Sequence, residues 1–208
     1  DYGRALIVGE HTFGKGTVQQ HRGLGRIYDT FDAELGGLNY TIAKFYRING
    51  GSTQHKGVVP DITYPTPINP EEWGESKEEN ALPWDSIAPA SYASVPDIKV
   101  ALPILQEKHQ KRIAEEVEFK YLNDDIALYN KEKDLKTVSL NEKVRLAKKD
   151  SDSKRELQRL NERLARLKLP AVKSVDDAPE VLEKLDPLLE ETVLITADLV
   201  LSSKIAKK

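Results

Sequence analysis

Neither cysteine nor methionine occurs in the 208 residues of this chain. The first absence rules out disulfides and thiolate-ligated metals, and it leaves the compartment open, since cysteine-free chains suit the bacterial periplasm and the cytosol alike. Long apolar runs are also missing: no segment nears the roughly 20 residues that a membrane-spanning helix needs. Nor is positive charge in excess. Lysine and arginine number 31 against 34 aspartates and glutamates, a formal net charge of -3, which excludes a polybasic nucleic-acid binder. The four histidines, His11, His21, His55 and His109, show no ligand spacing, so neither a metal nor another cofactor is expected. With no methionine at position 1 and an abrupt opening on "DYGRALIVGE", the sequence is expected to be a piece of something longer.

What is present changes character along the chain. Residues 1–66 hold the segments "RALIVG", "GTVQQH", "LNYTIAKFYRI" and "VVPDITY", separated by glycine turns, and read as strands. In "LNYTIAKFYRI", Tyr40, Ile42, Tyr46 and Ile48 alternate with Ala43 and Phe45, which predicts a strand covered on both faces. Residues 67–98 carry repeated prolines and the acidic cluster Glu71, Glu72, Glu75, Glu78 and Glu79. This composition predicts an extended, solvated strap, pinned to a surface by Trp73 and Trp84.

Residues 99–208 turn helical. Pro103 suits a first helical turn ahead of Ile104, Leu105, His109, Ile113 and Ala114. Ser153 with Glu156 forms a capping box before Leu157, Leu160, Leu164 and Leu167, and Asp186-Pro187 opens a last helix with Leu189, Val193, Ala197 and Val200 on one face. These apolar stripes are read as core-facing. The stretch "TVSLNEKVRLA" fits either a helix capped at Ser139 or a short hairpin, and both stay open. The fold class is α/β (α+β): a β-rich part, a connecting strap and a helical domain.

The stretch that invites chemistry is "IVGEHTFGKGTVQQ", where Lys15 sits between Gly14 and Gly16. A lysine there either grips an anion or moves a proton. Gly9 and Gly14-Lys15 match the spacing of a phosphate loop. Against that reading, Gly16 replaces the magnesium-binding hydroxyl, Glu10 would lie within the phosphate cradle, and "TVQQHRGLG" offers no helix N-terminus to the anion.

Taken together, "DYGRALIVGEHTFGKGTVQ" and "GGSTQHKGVVPDI" resemble the carboxy-terminal processing proteases, specifically their long-form tail-specific members. The likeness continues through "NALPWDSI" into the helical part. It implies that residues 1–66 are the end of a β-rich protease core of ClpP/crotonase type, that Lys15 is the general base of a serine/lysine dyad, and that Gln19 helps orient it. Asp1 then falls where long-form members carry an aspartate needed for activity; its plain alternative is a strand-entry cap. A base of this kind must lose its water, and apolar neighbours such as Phe13 are expected to close over the amine. The resemblance also implies polypeptide substrates recognised by apolar C-termini and a periplasmic location. A second reading takes the helical region from about Asp97 as an interaction module that docks an envelope adaptor or the protease core itself. In the family the nucleophilic serine and a PDZ-like domain lie upstream of this stretch. Ser52, Ser86 and Ser91 match no nucleophile motif, so the chain by itself is expected to be inactive.

Overall fold

The computed structural model describes residues 1–25, 35–69, 72–93 and 98–205. Glu71 and the prolines at 70 and 96 therefore lie outside the described residues. By its contacts the chain divides into two compact units, residues 1–126 with 191–208, and residues 127–190.

In the first unit, β1 (Val8–Gly9) runs parallel to β4 (Ile62–Thr63), with Val8 opposite Ile62. Strand β2 (Thr17–Gly23) pairs antiparallel with β3 (Gly37–Lys44), and the register slips between Val18 and Gln19. The double cover expected for β3 is not found in this chain: Leu38 and Ile42 are both exposed. Helices α1 (Leu102–Glu115) and α2 (Val117–Glu132) follow, and α4 (Pro187–Ile205) returns to the same unit from residue 191 on. Ile62, Tyr64, Leu105, Phe119 and Ile195 form its apolar core. Sheet end and helices thus share one core, and the strap does not separate two bodies.

The strap is tied to the β-rich segment at several points between Trp73 and Ala90. The Trp73 ring meets Phe13 edge-on at 5.1 Å, Glu75 N donates to Phe13 O at 2.9 Å, and Trp84 Nε1 donates to Ser52 O at 2.9 Å. Ile87 N donates to Gly50 O and Ala90 N to Ile48 O. Lys44 Nζ lies 2.9 Å from Asp85, and this ammonium, helped by the Tyr46 hydroxyl, holds the Asp85 carboxyl below its usual range against the opposing effect of burial. Glu75, expected in solvent, is buried in a short 3-10 turn, Glu75–Lys77.

Beside the apolar core sits a buried ionic cluster. His109 Nδ1 lies 2.9 Å from Glu191 Oε1, at 1% and 4% side-chain exposure. Arg112 grips both Glu191 oxygens through Nε, at 3.0 and 2.9 Å, and reaches Asp198 through Nη1 at 2.6 Å. Lys108 completes the set at 2.7 Å from Asp198. Burial alone would raise the Asp198 carboxyl, but the hydrogen bonds from Lys108 and Arg112 outweigh it and the net direction is down. This cluster corrects the face assigned to α4. Leu189, Val193 and Val200 are exposed, whereas Glu191 and Ile195 point inward, because the guanidinium and imidazole offer the carboxylate partners that water would otherwise supply.

The second unit centres on α3 (Glu142–Arg166), whose Leu160 and Leu164 are buried. The helix begins upstream of the expected capping box. Asn141 is the cap, its side-chain oxygen accepting from Lys143 N at 3.0 Å and Val144 N at 3.4 Å, which places Ser153 and Glu156 inside the helix. The intervening "EKVRLAKKDSD" holds no glycine or proline to interrupt it. The hairpin alternative for this stretch is thereby excluded. At the other end Asn161 clasps the returning backbone at Val172 through both its amide groups, at 2.8 and 3.1 Å. Asp186 caps the last helix as expected, accepting from Leu189 N at 3.0 Å.

Removing Arg112 would take the guanidinium from both oxygens of the buried Glu191 and leave it the His109 contact. Arg112→Ala is expected to cost about 3–5 kcal/mol, read as a fall in the urea midpoint at an unchanged m-value. The Asp198 contribution is complete above the ordinary value of 3.8 and is lost as pH falls through the lower folded value. Asp198→Asn should therefore flatten the acid limb of a stability–pH series.

Candidate active site

Lys15 and Gln19 come together because a strand repeats every two residues. Lys15, Thr17 and Gln19 are two apart at the entry to β2, so their side chains share one face. All three line an open pocket of about 570 Å³, whose other walls include Phe13, Thr41, Glu75, Glu78 and Leu82. The antiparallel pairing brings Thr41 opposite Gln19.

The glycines beside Lys15 are explained by what lies behind them. Gly14 adopts φ +90°, and a Cβ there would stand 2.8 Å from His55 O. A Cβ on Gly16 would stand 2.6 Å from Gln54 N. Only bare backbone lets residues 52–57 approach so closely. The approach is used for hydrogen bonds on both sides of Lys15: His55 N donates to Gly14 O at 2.8 Å, and Gly16 N donates to Gln54 Oε1 at 2.7 Å. To reach Gly14, His55 itself takes a left-handed backbone, φ 63°.

Gln54 has no exposed surface, and its Nε2 donates to Glu75 Oε1 at 3.1 Å. The loop bearing Lys15 is thus tied through one amide to the strap. Neither residue stood out in the sequence. Gln54 carries no motif signal within "GGSTQHKG", and Glu75 sits in a run whose composition predicts solvated acids; the aromatic and glycine immediately before it, Trp73-Gly74, are the available sign of a packed turn.

The Lys15 side chain is exposed, with no hydrogen bond or ion pair formed to it among the described residues. The expected apolar cover over the amine is therefore not found here. Phe13 instead sets its ring against Trp73. Asp1 lies apart from this pocket: both its oxygens bind the Arg47 guanidinium, one of them 3.0 Å from Nε. The phosphate-loop geometry is not formed either, because a strand rather than a helix follows Lys15. What the arrangement offers chemically is a primary amine on a clamped backbone, open to a pocket with an amide four residues along the same face.

Comparison with known proteins bears on this geometry. Residues 68–201 match the family described as the C-terminal domain of tail specific protease. The chain belongs to the tail-specific protease family. Residues 1–64, which carry the lysine pocket, match peptidase family S41. The Tail-specific protease of Haemophilus influenzae is 50% identical over 204 residues, a match spanning 97% of this chain and 29% of that relative. The Carboxy-terminal-processing protease of Bartonella bacilliformis is 40% identical over 73 residues, 35% of this chain and 15% of that protein. The chain therefore spans less than a third of the length of the curated relatives it matches.

The close approach behind Lys15 makes a stability prediction. Gly16→Ala drives a methyl into the Gln54 backbone and is expected to cost about 1–3 kcal/mol. Gly23→Ala, with nothing within 4 Å of its added methyl, should stay within about 0.5 kcal/mol of wild type in the same denaturation series.

Proposed function

We propose that this chain supplies the general base and the helical domain of a tail-specific serine endopeptidase acting on proteins with exposed apolar C-termini. The observation that carries the reading is the shared face of Lys15, Thr17 and Gln19 on the wall of one pocket. In this mechanism the neutral Lys15 amine takes the proton of a serine hydroxyl as that oxygen attacks a peptide carbonyl. The resulting ammonium returns the proton to the departing amine, and water repeats the cycle on the acyl-enzyme. Gln19, on the same strand face, orients the amine.

A lysine amine in water has a pKa of about 10.4 and holds its proton at neutral pH. Base catalysis therefore needs a cover that excludes water from the pocket. We assign that cover, the serine nucleophile and a PDZ-like substrate domain to the rest of the longer protein. The Asp1–Arg47 pair ties the start of the chain to the turn after β3, and in this reading Asp1 acts by holding that backbone. We place the enzyme in the bacterial periplasm. No described helix is long and apolar enough to cross a membrane.

The helical region carries a second role in this proposal, docking an adaptor protein. Its support is specific: Val138 and Leu140 are 72% and 92% exposed, beside the exposed Val144 and Leu146. Leu140→Asp is expected to leave hydrolysis of short peptides unchanged while slowing degradation of adaptor-delivered proteins.

The main reading is tested in the full-length protein. Lys15→Ala should abolish peptide hydrolysis with the fold intact, and Lys15→Arg should fail as badly, since a guanidinium stays protonated. An anion-gripping lysine would keep much of its function as arginine. Turnover by Lys15→Arg above a few percent of wild type, assayed at equal folded fraction, refutes the base.

A further inference from the structure

The Lys15 side chain has no partner of its own among the described residues, so its direction is set by the backbone that carries it. That backbone is held from behind by two consecutive residues, Gln54 at Gly16 N and His55 at Gly14 O. The two contacts differ in kind. The His55 contact is backbone to backbone and does not depend on the orientation of a side chain. The Gln54 contact depends on which way a side-chain amide faces.

A glutamine amide has two nearly isosteric orientations, and the protein must choose between them. Here the choice is forced by Glu75. A carboxylate only accepts hydrogen bonds, so Glu75 Oε1, 3.1 Å from the amide nitrogen, requires Gln54 to present its NH2 group. The amide oxygen is then the end left for Gly16 N, at 2.7 Å. A flipped amide would set oxygen against carboxylate and NH2 against N–H, two repulsive contacts in a site with no water-exposed surface on Gln54. Glu75 in turn is fixed by its own N–H on Phe13 O at 2.9 Å, and Gly74 before it passes so close to Phe13 O that a Cβ would stand at 2.7 Å. The relay closes on itself: strap to Glu75, Glu75 to Gln54, Gln54 to the peptide group after Lys15, and Phe13 back to the strap.

We propose that Gln54, oriented by Glu75, is a positioning residue that aims the Lys15 amine for proton transfer, so that the strap contributes to catalysis through a single buried amide. The inference rests on the reading of Lys15 as the base. It assigns to Glu75 no contact with substrate; its part is to select one of two amide orientations.

The test uses the full-length protease and a fluorogenic peptide, with variants compared at equal folded fraction. Gln54→Glu sets two carboxylates face to face while preserving shape, and kcat is expected to fall on the order of 10- to 100-fold with KM unchanged, the signature of a misaimed group rather than lost binding. Glu75→Gln keeps an accepting oxygen for the amide and should stay within about threefold of wild type. Combining Gln54→Glu with Glu75→Gln rebuilds the relay with its polarity exchanged, because a carboxylate at 54 accepts from both Gly16 N–H and the new amide. That pair should recover kcat to within about threefold of wild type. Wild-type kcat in Gln54→Glu, or a loss that the exchanged pair does not recover, overturns the proposal. Should Gln54→Glu fail to fold, Gln54→Leu carries the same test, since it removes the acceptor of Gly16 N–H while keeping apolar bulk in the site; full kcat in that variant overturns the proposal equally. Lys15→Ala separates the two levels. If it is active, the base itself is misassigned; if it is inactive while Gln54→Glu is unimpaired, only the positioning relay fails.

Discussion

One buried amide organises the region around Lys15. Gln54 accepts from Gly16 N and donates to Glu75, and Ser52 Oγ accepts from its backbone N–H at 3.0 Å. Each of these groups is costly to leave unpaired away from water. Loop 52–57, the lysine turn and the strap are therefore constrained together, and none can move without orphaning a polar atom in another. The glycines at 14 and 16 are the consequence. They exist to let the Gln54–His55 backbone come close, and their lack of side chains leaves Lys15 as the lone projecting group of the turn.

The ionic cluster of α1 and α4 applies the same logic at larger scale. Glu191 is buried against His109 and a two-pronged Arg112, and Asp198 lies between Arg112 and Lys108. A buried ion pair gains little over an apolar contact, but breaking one is expensive, so it enforces a particular pairing of helices. Next to it, Tyr64 shares its hydroxyl with Thr192 at 2.6 Å and sets its ring against His109 and Phe119. Through Tyr64 the strand that ends the β-rich segment is fixed to α1, α2 and the first half of α4. A family boundary runs between residues 64 and 68, yet the packing runs across it.

Local chemistry was legible wherever neighbours in sequence decide it. The change from β-rich to helical character, the turn at Gly14, the start of the last helix at Asp186 and the anchoring of Trp73 and Trp84 all rest on residues within a few positions of each other. Reading by hydropathy failed where a charge is buried. Glu191 made the inner face of α4 look like the outer one, and Glu75 disappeared into an acidic run. The helix start at Asn141 was missed for another reason: two capping signals competed, and the choice depends on whether the stretch between them can stay helical.

Sequence by itself determined that a glycine-flanked Lys15 stands at the entry to a strand-forming stretch, because β-branched residues and glycine turns act locally. It also determined that nothing bulky flanks the lysine. Only the tertiary structure decided that Gln54 grips the peptide group after Lys15, that Glu75 fixes the amide's orientation, and that Asp1 turns to Arg47 instead of the pocket. Those contacts join positions far apart along the chain, and hydropathy carries no term for a charged or polar side chain that becomes inward-facing once a specific partner meets it.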